Sequence, residues 1–190
     1  MDYIRQIEAF VPQCEQEAAD QRTILQYIRR FPENILTREN VFAHITSSSL
    51  ILNGSRTRIL MIYHNIYRTW AWTGGHADGE NDLLGVAMRE ACEETGLTEV
   101  RPLCRELLTL DVLPVFGHFK RGVFVSGHQH LNVSYALIAD ETAPLHMKPD
   151  ENSGVRWFDI EDIPRLTQSE PYMTGVYRRL LERAGRAAIT

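Results

Sequence analysis

Cysteine is scarce: Cys14, Cys92 and Cys104 are the only three in 190 residues, and no two stand in a Cys-x-x-Cys spacing. So odd and scattered a set excludes a disulfide framework and a cysteine-based zinc site, and Cys92, inside a helix-like stretch, reads as an inert thiol. Positive charge is also short. Twenty Lys and Arg against 25 Asp and Glu leave a net charge of −5 and a pI near 5.8, which argues against a broad nucleic-acid footprint or docking on an anionic membrane. No apolar run approaches the ~20 residues that span a bilayer, and Met1-Asp2-Tyr3 opens no positively charged leader. The expected location is therefore cytoplasmic, with a small molecule as partner, no nucleic acid, no membrane, and a homodimer as the oligomer to look for. Internal repeats and low-complexity tracts are absent too.

What is present suffices for one sizeable core, since 44% of the residues are hydrophobic. From Asp2 to about Phe31 the chain is acidic and Gln-rich, with Ile4, Ile7, Val11 and then Ile24, Leu25, Ile28 at helical spacing. This reads as a helical N-terminal extension over residues 1–40, ahead of a domain over 41–190. From Ala43 β-branched and apolar runs take over: "AHITSSSLIL", the turn pair Asn53-Gly54, then "RILMIYHN", which together predict a hairpin. "RPLCRELLTLDVL", "HLNVSYALIA" and "GVRWFDI" are further strand candidates, and "PYMTGVYRRLLERAG" is a closing helix with Pro171 near its start and Gly185 near its end. Strands and helices mix without strict alternation, so the expected fold class is α/β, a mixed sheet flanked by helices.

The most informative stretch is "WTGGHADGENDLLGVAMREACEETGL", Trp72 to Leu97. Gly96 marks the end of a helix, and the carbonyl end is its negative pole, so Glu93 and Glu94 there each cost roughly 0.3–1 kcal/mol. Glu90 and Glu94, four apart, add like-charge repulsion of ~0.2–0.5 kcal/mol. At 3.6 residues per turn the three glutamates share one face, beside an arc of Leu84, Ala87, Met88 and Ala91 that can pack on a sheet. Arg89 lies four residues before Glu93 and can orient it by an ion pair. An oxygen-only cluster of this kind suits Mg²⁺, which takes one or two carboxylates and fills its remaining positions with water and phosphate oxygens.

The stretch resembles the Nudix box, G-x5-E-x7-R-E-U-x-E-E-x-G-U with U a bulky aliphatic, through Gly75, Arg89, Glu90, Glu93, Glu94, Gly96 and Leu97. At ~5–7% usage per residue type, so many matches arise by chance far less than once per million starts. The hairpin before the box and "VRWFDIEDIP" after the late strand extend the resemblance over about residues 40–186. Two positions depart from the pattern: Asn81 stands where the first glutamate is expected, between Glu80 and Asp82, and Ala91 replaces the first aliphatic. Asn81 can instead cap the helix, or a neighbouring acid can take over by a small loop shift.

The resemblance implies an α/β/α sandwich and hydrolysis of a pyrophosphate bond in a nucleoside diphosphate derivative or nucleotide, with Mg²⁺ or Mn²⁺. It assigns the metal to Glu90 and Glu94, with Glu93 and the Gly74 carbonyl assisting. It gives catalytic parts to Glu93 and Arg89, and through the loop "KPDENSGVRW" to Glu151 as general base, with Asp150 as its rival. Read as a strand, His128, His130, Asn132 and Ser134 fall on one face. His128 and His130, with Lys120 and Arg121, are the expected substrate contacts, while a solvated sheet face is the bland alternative. Trp70 and Trp72 read as core, with stacking on a base as the alternative. Asn81 motivates a second reading, a non-catalytic nucleotide sensor. Phe42-Ala43-His44 loosely resembles isopentenyl diphosphate isomerase, but that chemistry needs a cysteine where Thr73-Gly74-Gly75-His76 stands, and none lies between Cys14 and Cys92.

Overall fold

The computed structural model describes residues 3–120 and 122–187. In chain order the helices are α1 (Tyr3–Ala9), α2 (Glu15–Arg30), α3 (Leu83–Thr95), α4 (Ile163–Leu166) and α5 (Pro171–Arg186). The strands are β1 (Ala43–Asn53), β2 (Arg58–His64), β3 (Thr69–Ala71), β4 (Thr73–His76), β5 (Arg101–Pro102), β6 (Thr109–Val115), β7 (His118–Lys120), β8 (Val123–Val125), β9 (His128–Ala139) and β10 (Asn152–Asp159). Eight strands form one sheet ordered β10-β2-β1-β9-β5, with β3 on β2, β4 on β1 and β6 on β9; β7 and β8 make a separate hairpin. β1 and β9 run parallel at the centre, in register from Ala43↔Gln129 to Asn53↔Ala139, while the other pairings are antiparallel.

Alternation along the strands builds two cores. Ile45 and Ile51 of β1, Leu131, Val133 and Leu137 of β9, and Leu110 of β6 meet Ile7, Ile24 and Ile28 of α1 and α2 and Leu84, Ala87 and Ala91 of α3. On the opposite face Leu50, Leu52, Met61, Ala136 and Ile138 meet Ile163, Val176, Tyr177 and Leu180 of α4 and α5. The result is an α/β/α sandwich in which α1 and α2 share a core with α3. All eleven residues of β1 are buried, and its serines are satisfied: Ser47 Oγ donates to the Leu83 carbonyl at 2.6 Å, Ser48 Oγ to Asn132 Oδ1 at 2.9 Å, and Ser49 pairs with Thr73 at 2.8 Å.

Three local outcomes differ from the sequence reading. "RPLCRELLTLDVL" is two strands rather than one. β5 and β6 both pair with β9, at Pro102↔Leu137 and Thr109↔Ser134, so the residues between them loop out and bury Leu103, Cys104, Leu107 and Leu108 on the sheet. The helix cap is Asp82 rather than Asn81: Asp82 Oδ1 accepts the Gly85 N–H at 3.2 Å, while Asn81 is exposed. The row on β9 is not solvated, because Asn132 and Ser134 are buried and Asn132 bonds Thr46, Ser48 and Ser134, each at 2.9 Å.

Candidate active site

The carboxylates of α3 are held in place from both ends. Gly96 closes the helix in the left-handed conformation, φ 74°, with its N–H on the Cys92 carbonyl; a Cβ there would also lie 2.7 Å from the His146 Cβ, so only glycine fits. The free carbonyls of the last turn are taken up from the loop before β10: Asn152 Nδ2 donates to the Glu94 carbonyl and the His146 N–H to the Thr95 carbonyl, both at 2.8 Å. These bonds lay residues 146–152 against the negative pole of α3. That loop brings Lys148 and Glu151.

From the other side comes β4. A Cβ on Gly75 would fall 2.4 Å from the Glu90 Cδ, and one on Gly74 would fall 2.4 Å from Ser48 Oγ. Gly74 is therefore required by the close approach of β4 to β1, and Gly75 leaves the room that the Glu90 carboxylate fills. The Gly74 N–H donates to Glu94 Oε1 at 3.3 Å. Glu94 Oε2, fully buried, has no hydrogen-bond partner, and Glu94 as a residue is 4% exposed. Burial pushes its carboxyl well above the usual range, against the pull of the Gly74 N–H. Glu90 is raised as well, by burial, with Arg89 opposing.

One oxygen each from Glu90, Glu94 and Glu151 falls within 4.8 Å of the others. Glu93 lies outside that group and turns to Lys148, whose Nζ is 3.0 Å from Glu93 and 3.2 Å from Glu151; its carboxyl is pulled down chiefly by the Lys148 hydrogen bond. Arg89 contacts Glu90 at 2.7 Å, Glu80 at 3.0 Å and Glu93 at 3.6 Å. Glu80 thus supplies an acid to this arginine from the position next to Asn81. Lys148, which ties Glu93 to Glu151, has no signal in the sequence, because its role depends on how the loop folds back over α3.

The remaining expected contacts belong to other elements. Lys120 is exposed at the end of β7 and Arg121 lies outside the described residues. His128 and His130 stand on β9 and meet His44 of β1 and His76 of β4, in a group separate from the carboxylates. Trp70 and Trp72 pack on Phe158 and Tyr177, with ring centroids 4.6 and 5.3 Å apart, as core residues do.

The sequence profile of the NUDIX domain family matches residues 43–180. An RNA pyrophosphohydrolase from Caulobacter vibrioides is 29% identical over 118 residues, covering 59% of this chain and 67% of the relative. Among solved structures, the Nudix hydrolase RenU from M. smegmatis superposes with a TM-score of 0.54 at 18% identity, covering 76% of this chain and 88% of that one. A NUDIX-family hydrolase from Clostridium perfringens gives 0.51 at 19% identity, covering 73% and 96%. These two likenesses concern the fold. The chain belongs to the Nudix family, as the sandwich and the glutamates of α3 already suggest. It is an enzyme of the Nudix pyrophosphohydrolase type.

Proposed function

We propose that the chain hydrolyses a pyrophosphate linkage in a nucleotide or nucleoside diphosphate derivative, with Mg²⁺ or Mn²⁺ as its metal. The observation that carries this reading is the meeting of Glu90, Glu94 and Glu151 beside Gly74 and Gly75 of β4. Nudix enzymes in general use divalent metals, and the donors here fit one: they are all oxygens, and buried Glu94 Oε2 is left without a partner. Glu90 and Glu94, with the Gly74 carbonyl assisting, would hold the ion, and Glu93, tied to Lys148 and Arg89, would assist from beside them. When bound, such an ion neutralises phosphate oxygens and lowers the pKa of water beside it.

The chain's own groups do the rest. Arg89 orients Glu90 and Glu93 through its ion pairs. Glu151, fixed by Lys148, takes the proton of the attacking water as its oxygen bonds to phosphorus and the bridging P–O bond breaks. Lys120 and Arg121 are proposed to meet the substrate's phosphates. Asn81 motivates the sensor reading, but the Glu80–Arg89 pair removes much of its force.

The test is product analysis in ¹⁸O-labelled water across nucleoside diphosphate derivatives and nucleoside triphosphates. The RNA relative adds a phosphorylated oligonucleotide to the panel. Turnover of at least one compound, dependent on added Mg²⁺ or Mn²⁺, is expected. Glu94→Gln should lower it by at least about a hundredfold, a barrier change of ~2.7 kcal/mol, while metal-free melting equals or exceeds that of the parent, because a buried carboxyl is replaced by a neutral amide. No turnover by folded protein with metal present would favour the sensor.

A further inference from the structure

Four of the chain's seven histidines meet on one patch, drawn from three strands. The parallel register of β1 and β9 sets His44 beside His130, and the antiparallel pairing of β4 with β1 sets His76 opposite Thr46. Ring centroids lie 5.0 Å apart for His44 and His76, 5.0 Å for His44 and His128, 5.3 Å for His44 and His130, and 5.1 Å for His130 with both His76 and His128. One nitrogen each from His44, His76 and His130 falls within 4.8 Å of the others.

The hydrogen bonds show which nitrogens are free. His44 is 4% exposed, and its Nδ1 lies 3.0 Å from the Asn40 carbonyl. A carbonyl only accepts, so Nδ1 carries the proton and Nε2 presents a bare lone pair. That Nε2 is buried and has no partner. His128 repeats the arrangement, with Nδ1 2.9 Å from the Ser126 carbonyl and Nε2 3.3 Å from His130 Nε2. Anchoring one ring nitrogen on a carbonyl while the other faces an ion is how metal-binding imidazoles are held. With Zn–N bonds of ~2.0–2.1 Å, two ligand nitrogens of a tetrahedral site stand about 3.3–3.4 Å apart, the spacing of His128 and His130.

An anion would need N–H donors turned towards it, whereas His44 and His128 place their protons at Nδ1 on the Asn40 and Ser126 carbonyls and are left with lone pairs at Nε2. We propose that His44, His76 and His130, with His128 as fourth donor, bind a transition-metal dication of the Zn²⁺ type at a second centre separate from the carboxylates. Nitrogen-only ligands select Zn²⁺ and its neighbours, whereas the oxygen-only group on α3 suits Mg²⁺ or Mn²⁺, so the two centres sort metals by chemistry. An ion here would pin β4 to β1 and β9, and β4 carries Gly74 and Gly75. Its role would be to position the two glycines of β4 against α3.

The experiment strips the protein with chelator, reloads it with Zn²⁺ alone or Co²⁺ alone, and reads stoichiometry, affinity and the visible spectrum. One Zn²⁺ per chain and the intense visible bands of four-coordinate Co²⁺ are expected. His44→Asn keeps the bond to Asn40 and deletes Nε2; His76→Ala removes a less buried ligand and decides the matter should the first variant fail to fold. Each should weaken Zn²⁺ binding by more than about a hundredfold, beyond the ~10–100-fold that loss of an outer partner costs, and His128→Ala by about tenfold. Glu90→Gln and Glu94→Gln should keep both the affinity and the Co²⁺ spectrum. Binding unchanged by His44→Asn and His76→Ala, binding lost in Glu94→Gln, or folded parent protein that takes up no Zn²⁺ would overturn the proposal.

Discussion

Asn81 and Asp82 divide two jobs at the start of α3. Asp82 caps the helix, and Glu80 holds Arg89, which leaves Asn81 exposed between them with neither task. Asp82→Ala should therefore cost about 1 kcal/mol, a fall in melting temperature of roughly 2–4 °C for a chain of this size. Asn81→Glu should leave melting unchanged and turnover within about tenfold, a barrier change under ~1.4 kcal/mol. Calorimetry and kinetics on both variants check the pair; a large stability loss in Asn81→Glu would return the cap to Asn81. The glutamates of α3 were legible because their spacing is contiguous and their position at a negative helix pole is unfavourable without a partner. Asp82 was not distinguishable from Asn81, since both residue types cap well and only the loop's path decides. Lys148 and the meeting of His128 and His130 with His44 and His76 were illegible for another reason. Their partners lie far away in the chain, and no local pattern encodes the strand register that brings them together.

The same holds between elements. Glu17 of α2 is fully buried between Arg179, at 3.4 Å, and Arg183 of α5, while Arg179 also bonds the fully buried Asp111 of β6. The Glu17 contacts clamp the N-terminal helices to α5 across a separation of 166 residues, from a segment whose composition shows only that it is acidic and helical. Glu17→Ala should destabilise the protein by ~3–5 kcal/mol, because it leaves a buried guanidinium without its partner. Combining Glu17→Met with Arg183→Leu should recover most of that loss, since Asp111 still balances Arg179. Denaturant midpoints of the single and double variants decide it; a single variant as stable as the parent would mean the ion pair holds nothing together. The apolar spacing that predicts α2 and the closing helix is robust because burial enforces it. The long strand predicted over residues 101–113 fails because its two halves satisfy different positions of the same neighbour.

For the molecule as a whole, His44, His64, His76 and His130 all have lowered pKa values, with burial the main cause in each. A base whose folded pKa is depressed takes up its proton first in the unfolded chain, so its contribution to stability is lost as pH falls from the unfolded value towards the folded one. Glu94 and Asp111 are raised by burial and act in the opposite sense, so the readable quantity is a difference. His64, lowered to about 4 by burial and by nearby Lys120 and His118, accepts the Ile66 and Tyr67 N–H groups at Nδ1, and asparagine can mimic that acceptor. The stability advantage of the parent over His64→Asn should shrink between pH 6.5 and about 4, by at most ~1.4 kcal/mol per pH unit. Urea titrations at stepped pH measure it, and a constant difference would mean that His64 titrates alike in both states. The parallel pairing of β1 with β9 carries a further consequence, one of timing. Thr46 and Asn132, bonded across it, lie 86 residues apart, and contacts of such separation form late because a long loop must close before they are gained. On the ribosome, α3 emerges well before the strand that completes its sheet. The glutamates can be set on their helix early, and β4 can pair with β1 before them, but Lys148 and Glu151 follow β9 in the chain and reach the glutamates only when β10 has paired with β2.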